Sequence, residues 1–167
     1  MSLELICVGT GRDGTVTLTQ LITQIFEKNN VVGTVGHEYH SVDFYNLFCE
    51  HCETGDEKIL RRIKLLFQEC PHKAIVGNGY ASLLPIVKEV FPEIKLIHLK
   101  RKDKQAFIQS SLKNQSLFPE TYINYGSKDG IMRRTSAVQT GEMTQEEWDA
   151  HSLEERFDWY YDYTHAL

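Results

Sequence analysis

The sequence predicts an α/β fold, a three-layer sandwich in which helices cover both faces of a parallel sheet. Short apolar runs alternate with amphipathic segments along most of the chain. Strands that alternate with helices in this way favour parallel pairing. The 167 residues fit one domain, 1–167, and are enough to bury a core.

The first predicted strand covers residues 3–8, where Leu5–Val8 form an apolar run typical of a buried strand. A helix over 14–28 follows, and Asn29–Asn30 ends it. A second strand is predicted over 31–35.

Two helices are predicted next, over 42–51 and 57–69, with a turn and a capping residue at 54–56. The second helix is amphipathic because apolar residues recur on one face. These residues are Ile59, Leu60, Ile63, Leu66 and Phe67. The alternation then continues with a strand over 74–76, a helix over 83–90, a strand over 94–99 and a helix over 103–113.

The last part of the chain is less regular. Residues 116–141 show no sustained hydrophobic periodicity, which predicts a long loop. Thr144–Glu147 is a capping-box pattern, and it predicts one final helix that runs to the terminus. Aromatic residues at near-helical spacing on this helix predict core packing rather than a substrate platform. They are Trp148, Phe157, Trp159, Tyr160, Tyr161 and Tyr163.

Composition excludes several classes of protein. A net charge of −5 argues against general nucleic-acid binding, although basic clusters occur at 61–62, 100–104 and 133–134. No apolar run approaches the roughly 20 residues that span a bilayer. The chain enters its first strand without a signal-peptide pattern, so we expect a cytoplasmic protein.

Four cysteines are too few for a disulfide scaffold. Cys49 and Cys52 form a CxxC pattern, for which His37 and His40 are the nearest further candidates as zinc ligands. Two cysteines one turn apart on a helix are the simpler interpretation. We therefore expect no metal site.

The glycine-rich turn between the first strand and helix is the strongest functional signal. Gly9, Gly11 and Gly14 let backbone N–H groups converge at the positive end of a helix dipole. Such a turn predicts an anionic ligand, a phosphorylated or sulfated nucleotide.

The three glycines also match a dinucleotide fingerprint, with Glu38 placed after the second strand to bind a ribose hydroxyl. A Rossmann-type nicotinamide or nucleotide binder is thus an alternative. A metal-dependent kinase or ATPase is less favoured, because Gly14 is not followed by Lys and Ser or Thr, and the later strands end in Asn78 and Lys100.

The segment Thr10–Thr17 resembles the 5′-phosphosulfate loop of sulfotransferases, a basic residue followed by Ser-Gly-Thr-Thr. That family has a P-loop-type fold and uses 3′-phosphoadenosine 5′-phosphosulfate (PAPS) as donor. The resemblance implies that Arg12 stands where the family usually has Lys, and that Asp13 replaces Ser. Gly14 and Thr15 match the pattern.

Two further positions complete this loop. Val16 departs from the second Thr of the family, and Thr17 offers a hydroxyl instead. In the transfer step, Arg12 and the N–H groups from Gly11 to Thr15 would stabilise the charge on the leaving oxygen.

A second segment, 91–103, is similar to the family's strand that precedes the 3′-phosphate site. Arg101 matches the family's Arg. The family's Ser falls eight residues later, at Gln109 here, and Ser110 is one step beyond. The resemblance implies that Arg101 and Ser110 bind the 3′-phosphate.

The resemblance also implies a base that deprotonates the acceptor. Glu38 is similar to the Glu that several members carry after the second strand, and other members use a His, for which His37 and His40 are candidates. A positioned base typically contributes 10²–10⁴-fold to rate.

The resemblance as a whole implies a PAPS-dependent sulfotransferase that moves a sulfuryl group to a hydroxyl or amine and releases 3′,5′-ADP. The acceptor would be a small molecule, a glycan or a lipid. A non-catalytic nucleotide-binding module is a further alternative, because Asp13 and Ser110 depart from the family pattern. Proteins of this family commonly continue past the point that corresponds to Leu167, so a C-terminally truncated domain is also expected.

Overall fold

The computed structural model describes residues 2–10, 14–117 and 136–166. It is an α/β structure with four parallel strands in the order β2-β3-β1-β4. The strands are β1 (Leu5–Val8), β2 (Val35–His37), β3 (Ala74–Gly77) and β4 (Lys95–His98). The helices are α1 (Thr15–Lys28), α2 (Ser41–Thr54), α3 (Glu57–Gln68), α4 (Leu84–Val90), α5 (Lys104–Leu117), α6 (Gln145–Ala150) and α7 (Leu153–Ala166).

Helices cover apolar side chains of the inner strands on both faces of the sheet, whereas Leu96 and Ile97 of β4 are exposed. On one face, Cys7 packs with Ile22 of α1. On the other, Ile6 belongs to a core shared with α2, α3 and α4, in which the rings of Phe44 and Phe67 stack at 4.3 Å. This arrangement agrees with the expected α/β class and with helices on both faces of a parallel sheet.

A separate apolar cluster joins α5, α6 and α7. Its buried members are Phe107, Ile108, Ala137, Trp148, Phe157, Tyr160 and Tyr161. The predicted core packing is therefore confirmed for Trp148 and for three aromatic residues of α7. Trp159 is partly buried and also packs against this cluster, and its ring stacks on that of Tyr163 at 4.9 Å.

Helix α7 is also attached to the sheet at the end of β4. His98 Nε2 lies 2.7 Å from His165 Nδ1, and the two rings stack. Lys104 at the start of α5 contacts Asp158 at 2.6 Å and Asp162 at 2.8 Å. These contacts hold the C-terminal helix beside the turn that follows β4.

The helix predicted over 103–113 extends to Leu117, and two other predicted elements also differ from the observed ones. The second strand begins at Val35 instead of residue 31, because Gly33 has a positive φ of 141° and Val32 is 80% exposed. The predicted final helix is two helices, since Ser152 begins a second capping arrangement. The Ser152 hydroxyl and backbone nitrogen both lie 2.7 Å from Glu155 Oε2.

Part of the long loop predicted over 116–141 lies outside the described residues, and so do Arg133 and Arg134. In the described parts of the chain, no helix is both long and apolar enough to cross a membrane.

Candidate functional site

The carboxyl ends of the four parallel strands meet at one edge of the sheet. Val8 ends β1, His37 ends β2, Gly77 ends β3 and His98 ends β4. Ligands of open parallel sheets bind outside this edge. The loops that follow the strands are therefore where the candidate site is built.

Helix α1 begins at this edge. Gly14 is its N-cap residue and has a φ of 92°, which favours glycine, and no described side chain caps the helix there. Thr15 is buried, whereas Val16 and Thr17 are exposed. The first-turn N–H groups of a helix of 14 residues are suited to an anion.

The three residues before Gly14 are Gly11, Arg12 and Asp13, and they lie outside the described residues. Their predicted roles in binding the phosphosulfate remain predictions.

His37 connects β2 to the start of α1. Its Nε2 lies 3.2 Å from the hydroxyl oxygen of Thr15. The two residues are 22 positions apart in the sequence. The fold thus brings a candidate base into contact with a residue of the predicted phosphosulfate loop.

Glu38 reaches across to the end of β3. Its Oε1 accepts a hydrogen bond of 3.2 Å from the backbone N–H of Asn78. Its own backbone has a φ of 52°, a conformation that non-glycine residues rarely adopt. Gly77 leaves room for the carboxylate, because a Cβ at that position would lie 3.0 Å from Glu38 Oε2.

The negative charge of Glu38 affects the ionisation of a buried neighbour, Tyr80. Burial, and next the negative charge of Glu38, raise the pKa of Tyr80 well above its usual value. The Tyr80 hydroxyl donates to the backbone oxygen of Tyr39 at 2.8 Å. The loop that carries Glu38 is therefore tied to β3 by a backbone bond at Asn78 and by a neutral tyrosine.

His40 is oriented differently from the other two candidate bases. Its Nδ1 lies 2.6 Å from Asp43 Oδ2, and its ring contacts Tyr39 edge to face at 4.5 Å. These contacts hold the His40 ring at the first turn of α2.

The CxxC pattern lies within α2. Cys49 is buried and Cys52 is exposed, and neither forms a disulfide bond. Among the described residues, no three His, Cys, Asp or Glu side chains are close enough to share a metal ion.

Arg101 lies in the basic turn after β4 and is partly buried. Its backbone oxygen accepts a hydrogen bond from the hydroxyl of Tyr161 on α7. The ammonium groups of Lys100 and Lys104 lie 5.8 Å and 5.7 Å from the centre of the Tyr161 ring. Ser110 is partly buried on α5.

Lys104 keeps its charge in this turn. Burial alone would lower the pKa of Lys104, but hydrogen bonds to Asp158 and Asp162 outweigh it and raise the pKa. The turn after β4 therefore carries several cations, and the hydrogen bond from Tyr161 of α7 holds the backbone of this turn.

The polar network around Gly77–Tyr80 was not predicted from the sequence. Tyr45 donates a hydrogen bond of 2.8 Å to Asn78 Oδ1, and the Tyr45 and Tyr160 hydroxyl oxygens lie 3.3 Å apart. A polar residue between two glycines directly after a buried strand was the available signal. The sequence carried no signal that Tyr45 of α2 and Tyr160 of α7 would join Asn78 in this network.

The chain matches no model of a known protein family, and it matches no curated protein.

The geometry nevertheless defines what the site can do. The N-terminus of α1 is suited to an anion, and the His37 imidazole contacts Thr15 there. The Glu38 carboxylate, which follows β2, is held at the end of β3 by Asn78. A carboxylate or an imidazole can accept a proton from a hydroxyl nucleophile. The arrangement is suited to transfer of an anionic group to such a nucleophile.

Proposed function

We propose that this chain is a PAPS-dependent sulfotransferase with a P-loop-type fold, which moves a sulfuryl group to a hydroxyl or amine. The observation that carries the proposal is the convergence of His37 with Thr15 and of Glu38 with Asn78 beside the start of α1. The sequence resemblance supplies the identity of the donor.

In the proposed reaction, Glu38 accepts the proton of the acceptor hydroxyl as its oxygen attacks sulfur. A new oxygen–sulfur bond forms while the bond from sulfur to the bridging phosphate oxygen breaks. The electron pair of that bond stays on the phosphate oxygen of 3′,5′-ADP. Donors of the loop before Thr15 and the first turn of α1 stabilise this charge.

The Arg101 guanidinium would bind the 3′-phosphate of the nucleotide. Its place after β4, in a turn with Lys100 and Lys104, supports this role. Because Tyr161 holds the backbone of Arg101, α7 would contribute to nucleotide affinity without touching the nucleotide.

The strand order argues against the dinucleotide alternative. In the Rossmann order, the first and second strands are neighbours. Here β3 separates β1 from β2. The Glu38 carboxylate, moreover, accepts a hydrogen bond from Asn78 at the end of β3.

Calorimetric titration with 3′,5′-ADP, adenosine 5′-phosphate and NAD tests the proposal. We expect 3′,5′-ADP to bind at least about tenfold more tightly than adenosine 5′-phosphate, since a hydrogen-bonded ionic contact to the 3′-phosphate contributes that much. Equal affinity for the two nucleotides, or a preference for NAD, would overturn it.

A further inference from the structure

A buried line of hydrogen bonds runs from α7 through α2 to the end of β3. The hydroxyls of Tyr160 and Tyr45 lie 3.3 Å apart, and Tyr45 donates to Asn78 Oδ1 at 2.8 Å. The two tyrosines are 2% and 4% exposed, and Asn78 is 8% exposed. Water therefore competes little with these bonds.

The bond from Tyr45 fixes the orientation of the Asn78 amide. A side-chain amide has an acceptor oxygen on one side and two N–H donors on the other. Because the oxygen faces Tyr45, the Nδ2 donors point away from the Tyr45 hydroxyl. With Oδ1 accepting from Tyr45, neither Nδ2 hydrogen is used by that hydroxyl.

The oriented donors are left for a ligand. No described residue accepts a hydrogen bond from Asn78 Nδ2, and this nitrogen is not among the fully enclosed polar atoms that lack a partner. An amide held in place without an acceptor is a costly arrangement unless water or a ligand binds it.

The position of Asn78 in the fold indicates which ligand its side-chain amide would bind. It directly follows β3, the strand that lies between β1 and β2 in the sheet. Its backbone N–H also holds the Glu38 carboxylate. Asn78 is thus beside the candidate base, where a transferred group would lie in the proposed reaction.

We propose that Asn78 binds an oxygen of the transferred sulfuryl group through Nδ2, and that Tyr45 and Tyr160 are positioning residues for this contact. This inference rests on the proposed function. Two N–H donors beside Glu38 would reduce the repulsion between its carboxylate and the sulfuryl oxygens. Asn78 would make this contact with PAPS but not with 3′,5′-ADP, which lacks the sulfuryl group.

The experiment compares PAPS with 3′,5′-ADP by calorimetry in the wild type, Asn78→Ala and Tyr45→Phe. In Asn78→Ala we expect PAPS affinity to fall about tenfold while 3′,5′-ADP affinity is unchanged, since one hydrogen bond to a charged group is lost. In Tyr45→Phe, where the amide can rotate, we expect a smaller loss in the same direction.

Asn114→Ala and Tyr163→Phe are matched controls. Asn114 lies on α5, and Tyr163 contacts Ser82 outside this network. Both variants should therefore keep the wild-type ratio of PAPS affinity to 3′,5′-ADP affinity. Thermal unfolding with and without 3′,5′-ADP shows whether each variant is folded. Because Phe retains the ring of Tyr45, that variant tests the proposal even if Asn78→Ala does not fold.

The outcomes separate the two proposals. If the wild type prefers 3′,5′-ADP over adenosine 5′-phosphate, but both variants keep the wild-type ratio of PAPS to 3′,5′-ADP affinity, the role of Asn78 is wrong and the proposed function stands. If affinity for both nucleotides falls equally, Asn78 is a structural residue only. If the wild type shows no preference for the 3′-phosphate, both proposals are overturned.

Discussion

Glu38 Oε1 lies 3.2 Å from the backbone nitrogen of Asn78, so a carboxylate that follows β2 is held by the residue that follows β3. The two residues are 40 positions apart in the sequence. The bond uses one carboxylate oxygen and leaves lone pairs of the group for a proton. The following predictions rest on this edge of the sheet and on the helices that support it.

Glu38→Gln should reduce sulfuryl transfer from labelled PAPS by about 10²–10⁴-fold, because the amide cannot accept the acceptor's proton. Affinity for 3′,5′-ADP should not change, since the Gln oxygen still accepts the bond from Asn78. Glu50→Gln on the exposed surface of α2 is the matched control. Wild-type turnover in Glu38→Gln would rule out Glu38 as the base.

Thr15→Val should weaken 3′,5′-ADP binding about tenfold, because a hydroxyl at the start of α1 is lost at nearly constant volume. The change also removes the partner of His37 Nε2. Thr23→Val removes a hydroxyl that bonds only within α1, and it serves as the control. Equal losses of affinity in the two variants would indicate a general effect on the helix.

Arg101→Ala should lower the affinity for 3′,5′-ADP by about tenfold or more and leave the affinity for adenosine 5′-phosphate unchanged, because only the former carries a 3′-phosphate. Lys102→Ala, an exposed cation in the same turn, controls for net charge. A similar loss for both nucleotides would contradict a specific contact with the 3′-phosphate. Calorimetry measures each affinity directly.

Gly77→Ala should lower the free energy of unfolding by about 1–3 kcal/mol through overpacking. The added Cβ would lie 2.9 Å from Tyr80 Cε2 and 3.0 Å from Glu38 Oε2, and one of these groups must move. Urea unfolding measures the loss of stability, and transfer from PAPS reports whether Glu38 has moved. Unchanged stability would show that the loop relaxes freely.

The C-terminal helices should lose stability in acid. Hydrogen bonds from Thr144 and Ser152 lower the pKa values of Glu147 and Glu155 below the ordinary 4.5. A lowered folded-state pKa stabilises the protein above the unfolded-state pKa, and this contribution disappears as the pH falls through the folded value. The double variant Glu147→Gln, Glu155→Gln should therefore show a weaker pH dependence of the unfolding temperature below about pH 4.5. An unaltered profile would mean that these caps do not contribute.

The local elements were largely predictable from the sequence. The periodicity of 57–69 predicted α3, and the capping box at Thr144 predicted the start of α6. The break between α6 and α7 was not predicted, although Ser152 and Glu155 repeat the capping-box spacing of Thr144 and Glu147. The shift of β2 depends on pairing with β3, which begins at Val35 opposite Ala74.

The sequence by itself determined the α/β class, the glycine turn before α1 and the candidate residues after each strand. Hydrophobic period and turn chemistry act over a few residues, so a single sequence carries them. Only the tertiary structure decided that β3 separates β1 from β2, that Glu38 faces Asn78 and that Tyr160 reaches Tyr45 over 115 positions. The strand order and these long-range hydrogen bonds depend on how whole elements pack, which the local pattern of each element does not specify.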